Sequence, residues 1–182
     1  MVEPSDQDTV EVDYEDSMAN FDRWHEENAQ GGNLAENFPI VVTGFIAKRR
    51  DGRATTLRRN GSDYSGTIMA ALLNAQSITI WTDVDGVYSA DPRKVSDAEP
   101  LKHLTYNEAW ELSYFGANVL HPRSTLPAMT HDIPILIKNF FNVEAPGTLI
   151  DSKKEKVGSL QPRRGDRWRS VVKGFATIDD CR

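Results

Sequence analysis

Between residues 38 and 150, short apolar runs alternate with stretches of helical periodicity. That alternation restricts the chain to an α/β fold with a largely parallel sheet. The most apolar run, Phe38 to Ala47, reads as a buried parallel strand. Ser77 to Trp81 and Ile133 to Asn139 read as two more, and Gly147 to Ile150 as a short one. Lys48 to Arg53 reads as a charged hairpin around Asp51-Gly52, with a return strand from Thr55. Ile68, Ala71, Leu72 and Ala75 make a helical stripe. Thr105 opens another helix, with Glu108 at capping-box spacing, and this helix ends near Gly116. A further helix covers Val119 to Met129, with Pro122 tolerated in its first turn. The expected architecture is a three-layer α/β/α sandwich with a mostly parallel sheet.

The flanks differ from this middle. Residues 1–16 carry seven acids and no base and read as irregular chain. Asp16 or Ser17 then caps a helix reaching Ala29, with Met18, Phe21 and Trp24 on one side and Gly31-Gly32 as its stop. Residues 151–170 carry seven bases, interrupted by Gly158, Pro162 and Gly165, and read as a solvated basic linker. Val171 to Ile178 resumes an apolar strand pattern close to the end, which suggests a truncated sequence. Length allows one domain and a fragment of another. With 39% hydrophobic and 26% charged residues the composition is that of a soluble globular chain. No apolar run is long enough to span a membrane, and the acidic start shows no targeting peptide. A formal net charge of −6 disfavours nucleic acid as a partner. The single Cys181 fits a reducing compartment, and the scattered histidines, His121 included, suggest no metal cage.

Two stretches carry candidate chemistry. The strand ending at Trp81 empties into Thr82, Asp83, Gly86, Tyr88, Pro92 and Arg93. In open α/β sheets ligands sit beyond the carboxyl ends of the strands, so hydroxyl, carboxylate, aromatic ring and guanidinium there suit a nucleotide. An ordinary acidic surface loop has the same composition. The second stretch is Arg59 to Asp63, at the start of a helix, where unpaired N–H groups and the helix dipole favour an anion. Ser62 or Asp63 serving as a plain N-cap would by itself explain the pattern, but Arg59, which can grip a carboxylate with two hydrogen bonds, and Gly61 beside them tilt the reading toward an anion site.

These residues together resemble the aspartate kinases, in particular the plant-type branch joined to homoserine dehydrogenase. Trp81 to Arg93 looks like the family's nucleotide segment, shared in looser form with other enzymes of the amino-acid-kinase fold. Arg59-Asn60-Gly61-Ser62-Asp63, Tyr114 to Arg123, Ile137-Lys138-Asn139 and Ala145 to Thr148 narrow the resemblance to aspartate kinases. Asn118 stands where many relatives have lysine, as it does in the plant branch.

The resemblance implies phosphorylation of L-aspartate by ATP to aspartyl phosphate, the first step towards lysine, threonine, methionine and isoleucine. It implies that Arg59 and Ser62 hold aspartate, that Asp63 is catalytic by orienting groups at the transfer centre, and that Thr82, Asp83, Tyr88 and Arg93 hold ATP. Magnesium (Mg2+) would be bound mainly through the nucleotide, with no protein metal site. The parent would be a homo-oligomer without membrane or nucleic-acid partners, in the chloroplast stroma if plant-type and cytoplasmic otherwise. The domain expectation is the C-terminal half of a kinase domain over 1–150, the basic linker, and the start of a regulatory ACT domain over 171–182. No Lys-Phe-Gly-Gly phosphate motif occurs in the 182 residues. The chain is therefore expected to be inactive alone, and a non-catalytic nucleotide-binding or subunit-pairing fragment is the alternative.

Overall fold

The computed structural model describes residues 11–28, 40–58, 60–114, 120–153 and 176–181. A helix α1 (Tyr14–Asn28) comes first. A hairpin follows, of β1 (Ile46–Lys48) and β2 (Ala54–Thr56) in antiparallel pairing. Next are α2 (Gly61–Leu72), β3 (Ala75–Thr82), β4 (His103–Thr105), α3 (Tyr106–Tyr114) and α4 (Pro122–Thr130). β5 (Ile135–Asn139), β6 (Thr148–Asp151) and β7 (Ala176–Cys181) complete the order.

Five strands form one sheet in the order β4-β6-β5-β3-β7. β3 runs parallel to β5, and β4 parallel to β6. β5 and β6 meet antiparallel, as do β3 and β7. The α/β class read from the sequence therefore holds, with a sheet that mixes parallel and antiparallel pairs.

Register explains the core. Ile78 pairs with Ile135 and Ile80 with Ile137, while Ile135 also pairs with Ile150. Paired residues share a face of a pleated sheet, so these isoleucines form one patch. Ala70 and Ala71 of α2, Tyr106 and Ala109 of α3 and Ala128 of α4 pack into the same cluster. Sheet and helices thus form two layers of the α/β/α arrangement. Burying each isoleucine contributes about 1.5–3 kcal/mol.

Local signals decide the helix ends. Thr105 and Glu108 form the expected capping box: the Thr105 N–H donates to Glu108 Oε2 at 2.7 Å, and the Glu108 N–H to Thr105 Oγ1 at 3.3 Å. His121 caps α4, its Nδ1 accepting the Arg123 N–H at 3.2 Å with Pro122 following. α1 begins earlier than expected because Asp13 is the cap, Oδ1 accepting the Asp16 N–H at 3.0 Å. The Asp13 carboxylate also accepts the Arg50 guanidinium, which ties α1 to the hairpin and holds the carboxyl below its ordinary range. Met18, Phe21 and Trp24 leave α1 without a buried residue.

The run from Phe38 to Ala47 is not the buried parallel strand that its composition suggests. Residues 40–45 are outside any strand, and Val41 and Ile46 are 68% and 63% exposed. The backbone groups of Phe45 bond elsewhere: its N–H donates to Ser65 Oγ at 2.8 Å and its carbonyl accepts the Leu57 N–H at 2.8 Å. With φ at 71°, Phe45 turns the chain where a strand would continue straight. Apolar composition signalled a strand, but local hydrogen bonding fixed a turn. Phe38 and Pro39, and residues 154–175 with most of the basic linker, lie outside the described residues. The last expected strand is β7 over its described part, and it pairs in the main sheet beside β3.

Candidate functional site

Two helix N-termini meet at the end of the sheet where β3 and β5 stop. Only Leu73 and Asn74 separate α2 from β3, and Ala70 and Ala71 pack against Ile78 and Ile80. A helix that turns so tightly into the strand it covers runs antiparallel to it, so the first turn of α2 lies at the carboxyl end of β3. The same reasoning places the first turn of α4 at the carboxyl end of β5. Consistent with this, Ser124 Oγ of α4 donates to the Asn60 carbonyl before α2 at 3.4 Å, and the Arg123 guanidinium lies 4.9 Å from the centre of the Tyr64 ring.

The start of α2 is strained and unusually capped. Asn60 occupies the N-cap with φ 57° and makes no side-chain cap bond. Neither Ser62 nor Asp63 is the cap, since both lie inside the helix. Arg58 and Phe45 nearby also have positive φ, and such strain in non-glycine residues concentrates at functional sites. The Phe45 ring packs so closely on Gly61 that a Cβ there would sit 2.7 Å from it. Ser62 and Asp63 are half-buried, and burial raises the Asp63 pKa above its ordinary value. Arg59 lies outside the described residues.

The loop leaving β3 holds the other candidates. Thr82 ends the strand half-buried; its hydroxyl donates to Asp83 Oδ1 at 3.3 Å and its carbonyl accepts the Phe140 N–H at 2.9 Å. Asp83 is exposed. Gly86, at φ 140°, packs against Thr148, with room for no Cβ. Tyr88 bridges to Pro100 and lines a cleft of about 150 Å³ with Asp85, Leu101, Lys102, Pro146 and Gly147. Arg93 is outside that lining: its exposed side chain turns to Asp91, Nε to Oδ1 at 3.2 Å, and the Arg93 backbone N–H, with the guanidinium behind it, lowers the Asp91 pKa. The structure thus groups Thr82, Asp83 and Tyr88 on one loop, with Ser62 and Asp63 at the same end of the sheet. Asp85 and Lys102 are lining residues that the sequence reading passed over. Among the described residues no three His, Cys, Asp or Glu side chains converge as a metal cage. Nor is any described helix long and apolar enough to cross a membrane.

An α/β sheet with a cleft and two helix N-termini at the carboxyl ends of its strands is an arrangement that suits small anionic ligands. Residues 13–139 match the model of the amino acid kinase family, and the chain belongs to that family. It is 52% identical, over 99% of its length, to the chloroplastic bifunctional aspartokinase/homoserine dehydrogenase of Daucus carota. It is 48% identical over the same share to bifunctional aspartokinase/homoserine dehydrogenase 1 of Arabidopsis thaliana. The chain spans 18% of the length of each of these relatives. The crystal structure of E. coli aspartokinase III in complex with aspartate and ADP (R-state) is similar with a TM-score of 0.69 and 36% identity. That similarity covers 86% of this chain and 34% of the other.

Proposed function

We propose that this chain is part of an enzyme that transfers the γ-phosphoryl group of ATP to L-aspartate. A side-chain carboxylate oxygen of aspartate attacks the γ-phosphorus, the bond to the bridging oxygen breaks, and its electron pair leaves with ADP, giving aspartyl phosphate. The observation that carries this reading is that the start of α2, which has no side-chain cap bond, and the β3 exit loop lie at the same end of the sheet. It is supported by the complex of the E. coli relative with aspartate and ADP.

Phosphoryl transfer asks a protein chiefly to position the reactants and to stabilise spreading negative charge. The first-turn amides of α2, with Ser62 and the fork of Arg59, hold the carboxylates of aspartate. Asp63 orients groups at the transfer centre. Thr82 and Asp83 contact ATP at the strand end, and Tyr88 presents its ring to the base or ribose from the cleft. Arg93 leaves Asp91 for the phosphates at little cost, because an exposed ion pair is worth about 0–1 kcal/mol. Magnesium arrives with the nucleotide, its coordination completed by phosphate and water.

The same reading assigns 1–150 to half of a kinase domain and 171–182 to the start of a regulatory ACT domain, in a homo-oligomeric bifunctional protein of the chloroplast stroma. The plant relatives' chloroplastic location supports the last point. A non-catalytic nucleotide-binding or subunit-pairing role is the second reading.

One experiment separates the two. The matching stretch of the carrot relative is replaced with this chain, and aspartyl phosphate is trapped with hydroxylamine. Turnover that falls at least about tenfold in an Arg59→Lys version supports the proposal, since a point charge cannot reproduce the planar fork. A chimera that binds ATP yet forms no hydroxamate leaves the non-catalytic reading.

A further inference from the structure

Of the carboxylates on the β3 exit loop, Asp83 contacts its neighbour Thr82 and Asp91 pairs with Arg93 and Lys94 close by in sequence. Asp85 behaves differently. Its Oδ1 accepts an N–H from Asn139 Nδ2 at 2.7 Å and another from Asn142 Nδ2 at 3.1 Å, both more than fifty residues away. Asn139 is buried at the end of β5, and its own Oδ1 accepts the Phe141 N–H at 2.8 Å. The Phe140 N–H reaches the Thr82 carbonyl at 2.9 Å, and buried Lys138 donates to the Val143 carbonyl at 2.8 Å. The β5 exit loop is therefore pinned to the β3 exit loop by side chains at one end. At the other end Ala145, Pro146 and Gly147 form one wall of the cleft that Tyr88 and Asp85 also line.

From this network we infer that Asp85 is a positioning residue for the nucleotide, acting through Asn139 and Asn142. It fixes the separation between the Tyr88 loop and the Ala145–Gly147 wall, and so sets how tightly the cleft closes on its ligand. A carboxylate suits the task because one oxygen takes two amide donors, and hydrogen bonds to an ionised acceptor are about twice as strong as neutral ones. Holding a wall in its bound position removes an ordering cost from binding, which appears as affinity. The inference rests on the nucleotide reading of the cleft.

The test uses the chimera with the carrot relative, with ATP as the probe, titrated calorimetrically, and amide exchange at Phe140 and Phe141 as a second readout. Asp85→Ala is expected to weaken ATP binding about tenfold and to speed exchange at both amides. Asn139→Ala, which leaves the Asn142 bond in place, should weaken binding less than Asp85→Ala does, and the Asp85→Ala/Asn139→Ala double variant should bind no more weakly than Asp85→Ala alone, because the carboxylate carries both bonds. Asn142→Ala, which removes only the longer bond, guards against misfolding of the others and is expected to weaken binding by a factor of about three. ATP affinity unchanged by Asp85→Ala or Asn142→Ala in folded protein, or additive losses in the double variant, overturns the inference alone. If the unmodified chimera binds no ATP, the nucleotide reading falls and this inference with it.

Discussion

The Thr148 hydroxyl accepts the Val87 N–H at 2.8 Å across 61 residues of sequence, and it also donates to the Leu101 carbonyl. One fully buried side chain thereby joins β6, the loop carrying Tyr88 and the approach to β4. Thr148→Val keeps the shape but strands the buried Val87 N–H, at a cost of about 1–3 kcal/mol, and the part-buried Leu101 carbonyl besides. Urea unfolding should show that loss, and Thr148→Ser, which retains the hydroxyl, should lose less. Equal losses for the two variants would mean that packing, not hydrogen bonding, holds this junction.

Gly147 is constrained twice. Its φ is 76°, and a Cβ would press on the backbone carbonyl of Ile137, which has no side-chain freedom with which to yield. Gly147→Ala should therefore destabilise the chain by more than the roughly 1–2 kcal/mol typical of left-handed backbone alone, read as a lower melting midpoint. A stability equal to that of the unmodified chain would show that the β5–β6 connection adapts freely.

Asp63 supplies a pH test. Burial raises its pKa above the ordinary 3.8, so the folded state binds the Asp63 proton more tightly than the unfolded state does. That contribution is complete below 3.8 and is lost as pH rises through the raised folded value, so that burial of Asp63 costs stability above that range. Asp63→Asn should accordingly raise the melting midpoint at pH 7, by about 2–4 °C for each 1 kcal/mol recovered. The gain should vanish in acid. A gain that persists with the same size below 3.8 would contradict the burial argument. Where the site functions in phosphoryl transfer, the same substitution lowers turnover, the usual exchange of activity for stability.

Much of this was legible in the sequence because it depends on neighbours. The capping box at Thr105 and Glu108, the proline-led start of α4, the turn at Gly86 and the strand Ser77 to Trp81 are each set within a few residues. The Asp85 link to Asn139 and the Thr148 link to Val87 were not legible, because each joins groups that only the sheet order brings together. The apolar run from Ile40 to Ile46 misled for the opposite reason. Its composition says strand, but the hydrogen-bond partners that decide the matter, Ser65 and Leu57, lie elsewhere in the chain.

Hydrogen exchange of the 182-residue chain with and without ATP tests the central claim most directly. If the sheet end is the nucleotide site, ATP should slow exchange at the amides of Asp85, Tyr88, Ala145 and Gly147, which line the cleft. The hairpin at residues 46–56 should be unaffected. Protection confined to the hairpin or to α1, with the cleft loops exchanging at their unliganded rates, would contradict the account.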